Sequence, residues 1–177
     1  LTHRLAYQVL RDPASKKIKI AITYTNRAAE EITNRLEGMN IDQSSIWAGT
    51  IHQFCMHFII RPYAMYSKRL CKGYRIIDDY SKKAYGREIA ERLGMHLNYY
   101  DDPFQYENVR TEYKRVLKEK KEIDFDAILL ISEELLASCA FIGSNIASVI
   151  SSILVDEFQD TNELQYSILS TIYKANK

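Results

Sequence analysis

A chain of 177 residues, 46% hydrophobic and 27% charged, with six glycines and three prolines, can bury roughly two-thirds of its unfolded surface. That excludes a disordered tail and a scaffold dependent on staples. The net charge of +1 hides an asymmetry: residues 1–75 carry 12 Lys and Arg against 5 Asp and Glu, and residues 76–177 carry 12 against 18. The basic half suits either a phosphate backbone or an ordinary solvated face. Cys55, Cys71 and Cys139 are odd in number and form no C-x-x-C, a pattern of reducing compartments. His52 and His57, five apart, fall on different faces of a helix and do not make a zinc pair. With no apolar run near 18 residues and no signal-peptide layout, a cytoplasmic protein away from membranes is expected.

In chain order, Leu1, Leu5 and Val9 recur at helical spacing up to Asp12-Pro13, so the chain opens inside a helix and an upstream segment is expected. Ile18, Ile20 and Ile22 alternate as a strand that stops at Tyr24-Thr25-Asn26. Asn26 is the expected cap of a helix with its stripe at Ala28, Ile32 and Leu36. Ile46–Thr50 is a second short strand, leading into an apolar helix that Pro62 limits. From 72 to 122 the chain is more polar and Tyr-rich. Two helices are expected there, one from Asp78-Asp79 to Gly94 and one from Asp102-Pro103 to about Lys121. Phe125 to Leu136 reads as a buried helix capped by Asp124. Ser151–Val155 is a third strand, ending in Asp156-Glu157. A final helix carries the stripe Leu164, Ile168, Ile172, with Asp160 and Thr161 near its start. Alternating strands and helices predict an α/β fold with a parallel sheet covered on both faces.

Ligands of such sheets bind beyond the carboxyl ends of the strands. All three strands end in polar clusters: Tyr24-Thr25-Asn26, Gly49-Thr50 with His52, and Asp156-Glu157-Phe158-Gln159-Asp160. An apolar strand that ends in Asp-Glu places one carboxylate beside a bound Mg²⁺ and the next where it can take a proton from an attacking water. The same acidic run also serves simply to cap the following helix.

The string ILVDEFQDTNELQY, residues 153–166, resembles motif II of UvrD/Rep-type superfamily 1 helicases. AITYTNRAAEEITNRL, residues 21–36, is similar to motif Ia, and AGTIHQFCMHFI, residues 48–59, to the next DNA-contacting motif. YRIID at 74–78 and IDFDAILL at 123–130 resemble the segments bracketing an inserted 1B subdomain. These ordered matches cover nearly the whole chain.

The resemblance implies a partial RecA-like P-loop NTPase 1A domain formed by residues 1–71 and 123–177, with a helical 1B-like insertion at 72–122. It implies ATP and Mg²⁺ as cofactors, with Asp156 holding the metal, Glu157 as general base, and Gln159 and Asp160 linking the γ-phosphate state to neighbouring motifs. Tyr24, where Phe is usual, would stack on a base; Thr25, Asn26, Thr50 and His52 would contact the backbone of single-stranded DNA. His52 also reads as an ordinary surface or core histidine. The parent would be a 3′-to-5′ DNA translocase and helicase acting in repair or recombination, with duplex junctions and accessory repair or replication proteins as partners. A motor subunit of an AddA/RecB-type helicase-nuclease and a degenerate single-strand-binding module share these features. Ile51 and Gln53 depart from the usual Phe and Ser, and the inserted segment is short. The chain contains no G-x-x-x-x-G-K-[ST] loop, so little ATPase activity is expected of these 177 residues alone.

Overall fold

The computed structural model describes residues 1–98 and 100–175. In chain order the elements are α1 (Thr2–Arg11), β1 (Ile18–Thr23), α2 (Asn26–Gly38), β2 (Ile46–Thr50) and α3 (Ile51–Phe54), which runs on through a π-helical turn at Cys55–Ile60 into α4 (Arg61–Tyr63). There follow β3 (Arg75–Ile76), α5 (Asp79–Arg92), α6 (Glu107–Lys120), β4 (Glu122–Ile123), α7 (Phe125–Ser138), α8 (Ala140–Val149), β5 (Ile150–Val155) and α9 (Glu163–Lys174). They fall into two compact units, Leu1–Tyr63 with Leu129–Lys177, and Ala64–Ile128.

The first unit is built on a three-stranded parallel sheet in the order β2-β1-β5. As the central strand, β1 buries every residue after Ile18, which explains its near-continuous apolar sequence. One face carries a core of Leu5, Ala6, Ala21, Ile32 and Leu36, where α1 and α2 set their stripes on the sheet. The other large buried side chains of this unit include Phe54, Ile131, Leu135, Ile142 and Ile168, drawn from α3, α7, α8 and α9. This is the α/β class expected: a small parallel sheet flanked by helices, as in a partial RecA-like domain.

Four local features differ from expectation; in one, α6 starts at Glu107 and not at Asp102-Pro103, because Asp102 caps a separate 3₁₀ turn, Pro103–Gln105. Thr25, not Asn26, caps α2: its backbone stays extended (φ −130°, ψ 150°) and its hydroxyl accepts from the Ala28 N–H at 3.1 Å. Either residue type caps helices well; the one left in the extended region at the strand's end takes the role. The last helix is capped by Asn162 in a reciprocal box with Gln165, while Phe158–Asp160 forms a separate 3₁₀ turn. Helix α8 was not anticipated because its buried face is a short run in which Gly143 and Ala147 flank Ile142 and Ile146, with no side-chain cap at its start.

In the second unit, α5 and α6 enclose a core of Ile89, Ala90, Val109, Tyr113 and Leu117, with the Phe104 ring edge-on to Tyr113 at 4.9 Å. Strands β3 and β4 form a two-residue parallel ladder that their brevity hides in the sequence. Asp124 accepts from the Tyr113 hydroxyl at 3.0 Å and from the Ala127 N–H at 2.9 Å, which caps α7 as expected. Burial and the Asp124 charge push the Tyr113 phenol well above its usual range.

Cys55 lies fully buried in the π-helical turn. Burial pushes its thiol up to about 12, an effect that the neighbouring Ser132 hydroxyl offsets only in part. In the native chain at neutral pH, iodoacetamide should therefore modify exposed Cys71 well before Cys55, as peptide mass spectrometry would show. Above pH 9 the unfolded thiol ionises while the folded one keeps its proton. Stability from this source is thus flat below pH 9 and falls as pH rises towards 12, a decline that Cys55→Ala should remove from thermal melts.

Candidate nucleotide and single-strand interface

The three strands deliver their polar ends to one edge of the sheet. Thr23 pairs in register with Thr50, Ile22 pairs with Val155, and the Asp156 N–H extends that ladder by donating to the Ile22 carbonyl at 2.8 Å. Beyond this edge lies a hollow of about 130 Å³ lined by Tyr24, Thr50, His52 and Asp156, together with Thr161 and Gln165 near the start of α9. Thr25 and Asn26 follow directly on Tyr24, at the amino end of α2. Glu157, Gln159 and Asp160 sit on the exposed turn after Asp156 and do not line the hollow.

Each side chain is held by local chemistry. The Thr50 hydroxyl accepts from the Gln53 N–H at 3.3 Å, and Gln53 Oε1 accepts from the Thr50 N–H at 2.9 Å. This capping box fixes the entry into α3 and leaves the Thr50 O–H free to donate. Thr25 is in the same state at α2. Two helical runs thus point their amino ends, with unpaired N–H groups and partial positive charge, at the edge that carries these hydroxyls, an arrangement suited to phosphate. Tyr24 is 49% exposed, enough to offer a ring face to solvent. Partial desolvation and the nearby Asp160 carboxylate hold its phenol above the ordinary value, so it stays neutral in use.

Gly49 makes the box possible. A Cβ there would meet Trp47 Cη2 at 2.6 Å and Gln53 Oε1 at 2.8 Å. The Trp47 ring cannot readily retreat, since it packs edge-on against Phe54 and Phe58 at 6.0 and 5.6 Å. Gly49→Ala should therefore displace Gln53 from Thr50 and destabilise the chain by about 1–3 kcal/mol, read as a lowered Tm.

At the acidic end, Asp156 is half-buried and Glu157 is exposed. Glu157 adopts the left-handed conformation (φ 48°, ψ 46°), which costs a non-glycine residue on the order of 1 kcal/mol. The turn is held by the Asp160 N–H donating to the Glu157 carbonyl at 2.9 Å and by the Gln159 amide donating to the Glu157 carboxylate. The consequence is that Asp156 and Glu157 differ in burial and setting, one facing the hollow and the other the solvent.

Thr161, Gln165 and the bracing role of Gln53 were missed from the sequence. The signal was present: Thr50-x-x-Gln53 and Asn162-x-x-Gln165 both have capping-box spacing, which places the middle of each stretch at a helix start.

Comparison with known proteins adds an independent line. The family model described as the UvrD/REP helicase N-terminal domain matches residues 1–102 and 98–177, two stretches that meet in the segment between α5 and α6. The ATP-dependent DNA helicase PcrA of Leuconostoc citreum is 25% identical over 207 residues, covering all of this chain and 27% of that protein. DNA helicase II of Escherichia coli K12 is 25% identical over 195 residues, covering 94% of this chain and 27% of its own length. PcrA of Staphylococcus aureus Mu50 is 23% identical over 201 residues, covering 97% and 27%. The chain thus spans about a quarter of the length of the curated relatives it matches. With that family's N-terminal domain matched along the whole chain, the protein belongs to the UvrD/Rep helicase family.

Proposed function

We propose that the chain is part of the motor of an ATP-driven DNA helicase, with the sheet edge serving both the nucleotide and a single DNA strand. The observation that carries this reading is the shared hollow: Asp156, from the acidic strand end, lines the same space as Tyr24, Thr50 and His52. The names of the relatives, ATP-dependent DNA helicase and DNA helicase II, point the same way. In this reading the sheet unit is the 1A-like part and the 1B-like insertion, residues 72–122, lies within the unit Ala64–Ile128.

The oxygen chemistry fits Mg²⁺. That ion keeps several waters and takes one or two carboxylates plus substrate phosphates, so Asp156 with the neighbouring Thr161 hydroxyl and Gln165 amide suffices without a preformed cage. Magnesium, when bound, would neutralise charge on the terminal phosphates. Glu157, on its exposed turn, accepts the proton of the attacking water. Gln159 holds the Glu157 carboxylate, and Asp160 sits close enough to Tyr24 to relay the state of that turn to the strand track. Tyr24 stacks on a base while Thr25, Asn26, Thr50 and His52 hold phosphates. A stacking face that tolerates any base suits a translocase, and closure against a second RecA-like domain would move this track 3′-to-5′ along the strand. No residue of this chain forms a phosphate-binding loop, so the 177 residues alone should bind single strands without turning over ATP.

The test is anisotropy of a labelled dT oligomer with the 177-residue chain across a salt series. Affinity should fall with log salt at about −0.7 per phosphate neutralised, and Thr50→Val combined with His52→Ala should weaken binding at each salt concentration. Binding insensitive to both salt and these substitutions would contradict the reading.

A further inference from the structure

Beside the proposed track lies a second opening of about 300 Å³, between α2 and the turn from β2 into α3. Asn26, Glu30 and Asn34, spaced four apart on one face of α2, line one side, and Gln53 lines the other. Ala29 and Ala48, with no more than a methyl group each, leave the room between them. The side chains of Asn26, Glu30 and Asn34 form no hydrogen bond among the described residues, and Gln53 uses only its carbonyl oxygen, on the Thr50 N–H. The cleft therefore offers solvent-exposed amide donors and acceptors and one carboxylate, none of them engaged by another described side chain. It contains no Lys, Arg or His, so a phosphate would meet Glu30 without compensation.

We infer that this cleft is a nucleobase subsite that prefers bases carrying an exocyclic amino group facing Glu30. The inference rests on the single-strand track proposed above. Asn26 borders the cleft and immediately follows Thr25, so a nucleotide whose phosphate is held at Thr25 and Thr50 has its base beside the opening. Cytosine presents an N4 amino donor where thymine presents the O4 acceptor. Against an ionised carboxylate the first is attractive and the second repulsive. Asn34 and the Gln53 amide then meet the remaining acceptors of the ring. A stacking surface at Tyr24 is indifferent to base identity, whereas this neighbour is not, so the strand would be held with a graded preference for cytosine over thymine.

The experiment is competition between dC and dT dodecamers for the 177-residue chain at one salt concentration. The dC oligomer should bind on the order of fivefold more tightly. Glu30→Ala should bring the ratio to within about twofold without weakening dT, and Asn34→Ala should lower it in the same direction. Both positions are exposed, so neither change removes core. Equal affinity of the unmodified chain for the two oligomers, or a preference that survives Glu30→Ala, overturns the subsite. If equal affinity is nevertheless lost on Tyr24→Ala, only the subsite falls. If neither oligomer binds, the track falls and the subsite with it.

Discussion

If the chain is part of a helicase motor as proposed, Glu157→Gln in that motor is expected to lower single-strand-stimulated ATP hydrolysis by about 10²–10⁴-fold while leaving single-strand affinity within about twofold. The magnitude is that of removing a positioned general base. Glutamine matches glutamate in shape and can still accept the Gln159 amide through its carbonyl oxygen, so the left-handed turn at 157 keeps its bracing. Binding should survive because the Glu157 side chain does not line the hollow shared by Tyr24, Thr50 and His52. Asp156→Asn should behave differently, raising the Mg²⁺ concentration needed for hydrolysis because the lost charge faces that hollow. A Glu157→Gln rate within about tenfold of the unmodified protein would remove the assignment of the base.

Tyr24→Ala is the second large effect. Loss of one base-stacking ring costs about 1–3 kcal/mol, which corresponds to a loss of roughly 5- to 150-fold in single-strand affinity. Tyr24→Phe keeps the ring and should stay within about twofold, since stacking needs no hydroxyl. Half of Tyr24 is already exposed, so thermal stability should hardly change in either variant. A loss that is equal for Phe and Ala would mean that the phenol hydroxyl, near Asp160, contributes rather than the ring face.

Much of this was legible in the residues. The three strands were readable because each is a short, mostly apolar run that ends abruptly where polar residues begin, as at Thr23, Thr50 and Val155. Helix α2 announced itself by its stripe and α5 by the cap at Asp78, whereas α6 starts at Glu107 without a side-chain cap. Periodicity was weak in α8, a short run in which buried Ile142, Gly143, Ile146 and Ala147 alternate with Ser144, Asn145 and Ser148 and no stop signal precedes β5. The two-residue ladder of β3 and β4 is set by long-range pairing of Arg75 with Glu122 and Ile76 with Ile123, which no local pattern encodes. At the site, the strand-end clusters were visible one by one. Their grouping around a single hollow, the box of Thr50 with Gln53 and the left-handed turn at Glu157 depend on tertiary geometry. Thr25 took the capping role expected of Asn26 because backbone conformation, not residue type alone, decides between adjacent candidates.

Photocrosslinking of a 5-bromodeoxyuridine oligomer to the 177-residue chain, with adducts mapped by peptide mass spectrometry, addresses most directly whether DNA runs along the strand ends beside Asp156. Adducts should fall on Tyr24 and His52 and disappear in competition with unmodified single strands. Adducts confined to α5 and α6, with none between residues 24 and 52, would contradict this placement.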